Sequence, residues 1–147
     1  LIQRLLSQSP DFFGAWLSAI LSRRLIEKSI KSLFGPTTQP SQKFLDQLWE
    51  ILTHNNGKEL AYLLGRLVFK KYRYQQRWLA AMQSFQTKMC FINGPFDPNS
   101  GEHMAKRYEE LISRPQVFRM EPWIGHWPHV EDTSTFLKLY LQFVQAK

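Results

Sequence analysis

The chain has 147 residues with a formal net charge of +7, and 44% of them are hydrophobic. This apolar content is too high for a disordered chain and is enough for the core of one domain, or of a large piece of one. The single cysteine, Cys90, excludes a disulfide within the chain, and no apolar run approaches the roughly 18–20 residues that a membrane-spanning helix needs.

The N-terminal part of the chain is predicted to be helical. The first residues, Leu1-Ile2-Gln3-Arg4, include neither an initiating methionine nor the basic-then-apolar order of a signal peptide, so we expect a fragment or a processed chain. Apolar residues then recur at three- and four-residue steps as far as Leu33, which is typical of amphipathic helices. Gly35-Pro36 ends this pattern, because proline lacks the N–H donor that a helix requires.

A second helical stretch follows residue 40. Ser41 is a good N-cap, and the apolar stripe that begins at Phe44 predicts a helix that ends at Asn55-Asn56-Gly57. A longer helical region is predicted from about Lys58 to about Ser84. The first 85 or so residues therefore contain helices and no convincing strand.

The pattern changes at Lys88. Met89–Ile92 is a short apolar run of the kind found in buried parallel strands, and Gln116–Glu121 predicts a second strand. Helical spacing follows each of these runs. The alternation of strand, loop and helix predicts an α/β fold, whose functional side chains lie at the carboxyl ends of the strands.

An acid and a histidine follow the two predicted strands. Asp97 and His126 are 29 residues apart, which leaves room for a helix between parallel neighbours. In nucleophilic catalysis a histidine accepts a proton and a carboxylate fixes its tautomer, so both side chains must reach one point. Gly94 could form a tight turn after the first strand, and Gly125 would let the backbone beside His126 pass close to a substrate.

Non-catalytic interpretations compete with this one. Asp97 could simply cap a turn, and an isolated histidine is more often structural than catalytic. We interpret His129 as a supporting or surface residue at the start of the last helix. Glu131 and Asp132 suit the N-terminal end of a helix dipole and need no functional explanation. The joint pattern of acid, helix, strand and histidine favours a catalytic pair.

The motifs around these residues resemble the C-terminal part of α/β-hydrolases, and most closely the epoxide hydrolase and haloalkane dehalogenase branch. The stretches that carry the resemblance are Gly94-Pro95-Phe96-Asp97-Pro98 and Gly125-His126-Trp127-Pro128-His129-Val130-Glu131. For one member of this group, the resemblance extends into the helical half through Leu33 to Ser41, Trp49, Asn55-Asn56-Gly57 and Arg77-Trp78-Leu79-Ala80-Ala81. It therefore covers most of the chain.

The resemblance implies a domain organisation and roles for residues. Residues 1–85 would be the helical cap, and residues 86–147 would be the last two parallel strands of the hydrolase core with their helices. Asp97 would be the acid of the triad and His126 its base, acting on an ester, epoxide or alkyl halide with no metal or organic cofactor. Cap tyrosines polarise the epoxide oxygen in epoxide hydrolases, which makes Tyr62, Tyr72 and Tyr74 secondary candidates.

The nucleophile of such a triad is not found in this chain. It normally lies on a Gly-x-Ser-x-Gly elbow or an aspartate version of it, and no two glycines here are four residues apart. We expect the nucleophile, and the N-terminal half of the core or another chain that covers the exposed sheet edge, to lie outside this sequence. The small-molecule substrate would bind the full-length enzyme.

A non-catalytic interaction module is the alternative. Basic and aromatic residues alternate from Lys70 to Trp78, a composition that could bind RNA or a protein partner. The basic residues match no nucleic-acid-binding motif, so we favour a solvated helix face and expect no nucleic-acid partner.

Overall fold

The computed structural model describes residue 18 and residues 22–146. The predicted helices before residue 22 lie outside the described residues. The elements in chain order are α1 (Arg23–Lys31), α2 (Gln42–Thr53), a 3-10 segment (His54–Leu60), α3 (Ala61–Ser84), β1 (Phe91–Asn93), α4 (Glu102–Leu111), β2 (Val117–Arg119), α5 (Pro128–Glu131) and α6 (Thr133–Gln145).

Two compact units divide the chain. The first contains Ser41–Ala81 together with the chain up to Glu27, and the second contains Lys28–Pro40 and Met82–Lys147. The second unit therefore combines a short early segment with the C-terminal half of the sequence. The division into a cap over 1–85 and a core over 86–147 stays a prediction.

The first unit confirms two local predictions. Ser41 is the N-cap of α2, and its hydroxyl accepts a hydrogen bond from the Phe44 N–H at 3.2 Å. The helix ends at Thr53, and the chain then turns through Asn55 and Asn56, whose φ angles are 47° and 60°. Asparagine tolerates this left-handed region better than most residues, because its short side chain can bond locally. The two asparagines, and not Gly57, therefore make the left-handed turn.

The second unit contains a two-stranded parallel sheet. β1 pairs with β2 in the register Phe91 to Val117, Ile92 to Phe118 and Asn93 to Arg119. Each strand has three residues and lies within, or one residue beyond, its predicted apolar run. Helix α4 connects the strands, as parallel neighbours require. The described part of the chain is thus helix-rich with a small parallel sheet, which is compatible with the α/β class.

The second unit has a small set of buried apolar side chains. The fully or nearly fully buried apolar residues of this unit are Phe34, Ala105, Ile112, Met120 and Ile124. By contrast, four large apolar residues of helix α6 each have an exposed fraction of 42–57%: Leu137, Tyr140, Leu141 and Val144. Met120 and Ile124 belong to the segment that follows β2, whereas these large apolar residues of α6 stay accessible.

Within the described residues, we find no helix that is both long and apolar enough to cross a membrane.

Candidate active site

The two loops that follow the strands lie against each other. The Phe96 N–H donates to the Ile124 carbonyl at 2.9 Å, and the Met120 N–H donates to the Asn93 carbonyl at the same distance. The backbones come so close at Gly94 that a Cβ atom there would lie 2.0 Å from the Gly125 carbonyl oxygen. No side chain could be accommodated at that point, so glycine at position 94 allows the loops to meet.

Asp97 lies buried in the first loop, with only 5% of its surface exposed. Its Oδ1 accepts the Asn99 N–H at 2.8 Å, and its Oδ2 accepts the Ser100 N–H at 3.0 Å and the Ser100 hydroxyl. The loop thus folds around the carboxylate and supplies donors to both oxygens. Those donors compensate for the loss of water around a buried charge.

The same contacts determine the charge state of Asp97. Burial alone would raise the pKa of its carboxyl group, since burial disfavours the ionised form. Hydrogen bonds from the Ser100 hydroxyl, the Asn99 N–H and the His126 ring outweigh burial and bring the pKa below its ordinary value. Asp97 is therefore an ionised acceptor at neutral pH.

The His126 ring meets this carboxylate. Its Nδ1 lies 2.8 Å from Asp97 Oδ2, and the histidine side chain is 34% exposed. An ionised carboxylate can only accept, so Nδ1 must carry the proton of this hydrogen bond. The neutral ring then has its lone pair on Nε2, the atom that a general base uses. A buried acid and a partly exposed, oriented imidazole together form an acid–histidine pair that can accept a proton.

Glu131 connects the histidine loop with residues 35–38. Its Oε2 accepts hydrogen bonds from the Gly35 N–H at 2.9 Å, the Thr38 hydroxyl at 2.6 Å and the Gly125 N–H at 2.8 Å, and its Oε1 accepts the Trp127 N–H at 3.1 Å. The interpretation of Glu131 as a helix-dipole residue is therefore incomplete. The motif Gly125–Glu131, which carries the family resemblance, ends on this glutamate. Its inclusion in the motif was the signal in the sequence that Glu131 has a further role.

The remaining candidates occupy other positions. His129 is exposed on α5, and its ring packs edge-to-face with the Phe136 ring, with the ring centroids 5.7 Å apart. Asp132 is the N-cap of α6 and accepts the Thr135 N–H at 3.0 Å. At Gly125 a Cβ atom would lie 2.3 Å from the Leu33 carbonyl oxygen, so glycine lets the backbone beside His126 pass close to Leu33. The expected approach of a substrate at this point stays a prediction.

The candidate tyrosines lie on α3. Tyr72 and Tyr74 are exposed, and Tyr74 packs against Trp78 with a centroid distance of 6.4 Å. The side chain of Tyr62 lies outside the described residues. Their suggested role with an epoxide stays a prediction. Among residues 22–146, no three His, Cys, Asp or Glu side chains are grouped so that they could hold a metal ion.

Comparison with known proteins identifies two kinds of relative. The chain is 28% identical over 151 aligned residues to mesoderm-specific transcript protein from Mus musculus and 29% identical to its homologue from Homo sapiens, in each case across 99% of this chain and 44% of the relative. It is also 27% identical to LipZ of Mycobacterium tuberculosis, provisionally named a hydrolase, across 97% of this chain and 48% of LipZ.

These similarities are consistent with an α/β-hydrolase-like relationship. They run along almost the whole chain, whereas the chain spans about half the length of the curated relatives it matches. No family model matches the sequence.

Proposed function

We propose that this chain is the cap and the C-terminal segment of an α/β-fold hydrolase, with Asp97 and His126 as the acid and base of its catalytic triad. Residues 1–85 would form the cap, and residues 86–147 would contribute the last two parallel strands of the core. The observation that carries the proposal is the 2.8 Å contact between His126 Nδ1 and Asp97 Oδ2 at the carboxyl ends of β1 and β2. The hydrolase name of LipZ adds support.

The proposed reaction uses a nucleophile from outside this chain. A serine or aspartate would attack an ester, epoxide or alkyl halide and form a covalent intermediate. His126 Nε2 would take a proton from the nucleophile or from the hydrolytic water, and the buried Asp97 carboxylate would stabilise the resulting imidazolium. No metal or organic cofactor is required by this scheme.

The exposed apolar residues on α6 support a further part of the proposal. Leu137, Tyr140, Leu141 and Val144 recur at three- and four-residue steps along α6 and are 42–57% exposed, so they form an accessible apolar stripe. Only two short strands form the sheet of the second unit. We propose that the remaining part of the hydrolase core, or another chain, covers this helix face and the open sheet edges.

Site-directed variants of the intact protein, meaning the full-length protein that includes the nucleophile, test the triad. His126→Ala and Asp97→Asn should each lower the turnover of a p-nitrophenyl ester, an epoxide or an alkyl halide by roughly 10⁴-fold, as in other acid–histidine–nucleophile sites. His129→Ala is the matched control, since it removes the neighbouring exposed imidazole, and it should retain activity. Near-normal turnover in both His126→Ala and Asp97→Asn would reject the assignment.

A non-catalytic interaction module is the second candidate, and it would use the exposed basic and aromatic surface of α3. Lys70, Lys71, Arg73 and Arg77 are exposed there with Tyr72 and Trp78. Charge with accessible aromatic rings is a composition that can bind single-stranded RNA. Salt-sensitive binding of labelled RNA, with no hydrolysis of the three substrates above, would favour the module. Absence of RNA binding would reject this version of it.

A further inference from the structure

The backbone on both sides of His126 is held by one side chain. Glu131 accepts the N–H of Gly125 through Oε2 and the N–H of Trp127 through Oε1. The intervening N–H, that of His126 itself, donates to the Leu33 carbonyl at 2.8 Å. Three consecutive N–H groups are thus engaged, which restricts rotation of the peptide planes that carry the imidazole.

The same carboxylate also holds a segment from much earlier in the chain. Gly35 and Thr38 donate to Glu131 Oε2 from positions 96 and 93 residues away in sequence. Phe34, in the same segment, packs against the Trp127 ring with a centroid distance of 4.8 Å. The Leu33 carbonyl, which accepts the His126 N–H, and the Phe34 ring, which packs against Trp127, therefore both belong to the segment that Glu131 holds.

The number of donors exceeds what a helix-end role requires. Oε2 alone accepts three hydrogen bonds and Oε1 a fourth, which suits a carboxylate with about four lone-pair sites. A glutamine could supply only one accepting oxygen, and its NH₂ group would face an N–H donor in either orientation. The site therefore requires an acceptor with no donor of its own.

We propose that Glu131 is a positioning residue for His126. It fixes the peptide groups of Gly125 and Trp127 and the segment that accepts the His126 N–H, and so keeps Nδ1 within hydrogen-bonding distance of Asp97. The assignment of a catalytic consequence rests on the proposed function. The effect on the His126–Asp97 hydrogen bond does not, and it can be measured without a substrate.

The first experiment is NMR spectroscopy of the intact protein with labelled histidine. In wild type we expect a His126 Nδ1 proton protected from exchange by Asp97. Glu131→Gln should speed exchange of this proton at least tenfold and increase the population of the Nε2-protonated tautomer. Glu121→Gln is the control, since it neutralises an exposed carboxylate at the start of the same loop, and it should leave the signal unchanged.

The second experiment separates positioning from general stability. If the intact protein hydrolyses a p-nitrophenyl ester, Glu131→Gln should lower kcat by about 10- to 100-fold with KM within about twofold, because small misplacements of a catalytic group have effects of this size. Thr38→Val should give a smaller loss in the same direction, and Thr38→Ser should restore activity because it retains the hydroxyl donor.

The outcomes distinguish this inference from the proposed function. A folded Glu131→Gln protein with wild-type exchange of the His126 proton would overturn the positioning role, whatever its activity. If Glu131→Gln does not fold, Thr38→Val decides the matter by the same measurement. A wild-type protein that turns over none of the substrates would refute the proposed function, while the exchange data would still support or overturn the role of Glu131.

Discussion

Replacement of the buried Asp97 by asparagine should destabilise the second unit, and the structure lets the size of the effect be worked out. The carboxylate accepts hydrogen bonds from four donors: the Asn99 N–H, the Ser100 N–H, the Ser100 hydroxyl and His126 Nδ1. An asparagine side chain has one accepting oxygen and one NH₂ donor. In the Asp97→Asn variant, the NH₂ group must therefore face groups that donate hydrogen bonds in wild type.

Both orientations of the amide leave one backbone donor without an acceptor. With NH₂ in place of Oδ1, the Asn99 N–H is orphaned. With NH₂ in place of Oδ2, the Ser100 hydroxyl can rotate and accept from the NH₂ group, and His126 can change tautomer so that its Nδ1 accepts. The Ser100 N–H has no such alternative and is left without an acceptor. An unsatisfied buried donor costs about 1–3 kcal/mol, and the surviving bonds lose the strength that the negative charge gave them. We expect Asp97→Asn to lower the free energy of unfolding by about 2–4 kcal/mol.

Urea denaturation of the intact protein, followed by tryptophan fluorescence, would measure this loss. Ser100→Ala is the matched comparison, since it removes only the hydroxyl donor and should cost about 0.5–1.5 kcal/mol. Ordinary surface substitutions change the free energy of unfolding by up to about 0.5 kcal/mol. If the free energy of unfolding of Asp97→Asn lay within this range of wild type, the account of the Asp97 loop would be refuted.

Two further predictions follow from the same loops. Because the pKa of Asp97 is lowered in the folded protein, its charge contributes stability above the unfolded pKa of about 3.9, and this contribution is lost as the pH falls through the folded value. In urea titrations, the stability difference between wild type and Asp97→Asn should therefore shrink as the pH falls below about 4; a difference that stays the same from pH 5 down to pH 2 would contradict this. Gly94→Ala should separate the loops, since its Cβ would lie 2.0 Å from the Gly125 oxygen. We expect it to lower the free energy of unfolding by about 3 kcal/mol, the upper end of the usual cost of overpacking, and to remove the His126–Asp97 hydrogen bond seen by NMR. A wild-type melting temperature would disprove the close approach.

Local features of the fold were predictable because their causes lie within a few residues. The N-cap at Ser41 and the helix end before Asn55 depend on adjacent side chains and backbone conformation. The strands were placed correctly from short apolar runs, although each forms only three paired residues. Pairing requires a neighbour on the sheet, and the sequence pattern cannot show how many residues of a run find one.

The meeting of Asp97 and His126 could be inferred from chain order, because parallel neighbours end at one edge of a sheet. Their catalytic role stays a prediction. The contacts of Glu131 with Gly35 and Thr38 could not be inferred in this way, since no periodicity connects residues more than ninety positions apart. Without that information, the glutamate looked like an ordinary residue at a helix terminus.

The membership of Lys28–Pro40 in the second unit has a practical consequence for dissecting this protein. A recombinant piece starting near residue 86 would retain both titratable partners but lose the Leu33 carbonyl that accepts the His126 N–H. Deletion series that trim from the N-terminus would damage the histidine loop long before they reach it in sequence. A split version of the protein should instead supply residues 28–40 as a separate peptide, whose addition would restore order around His126.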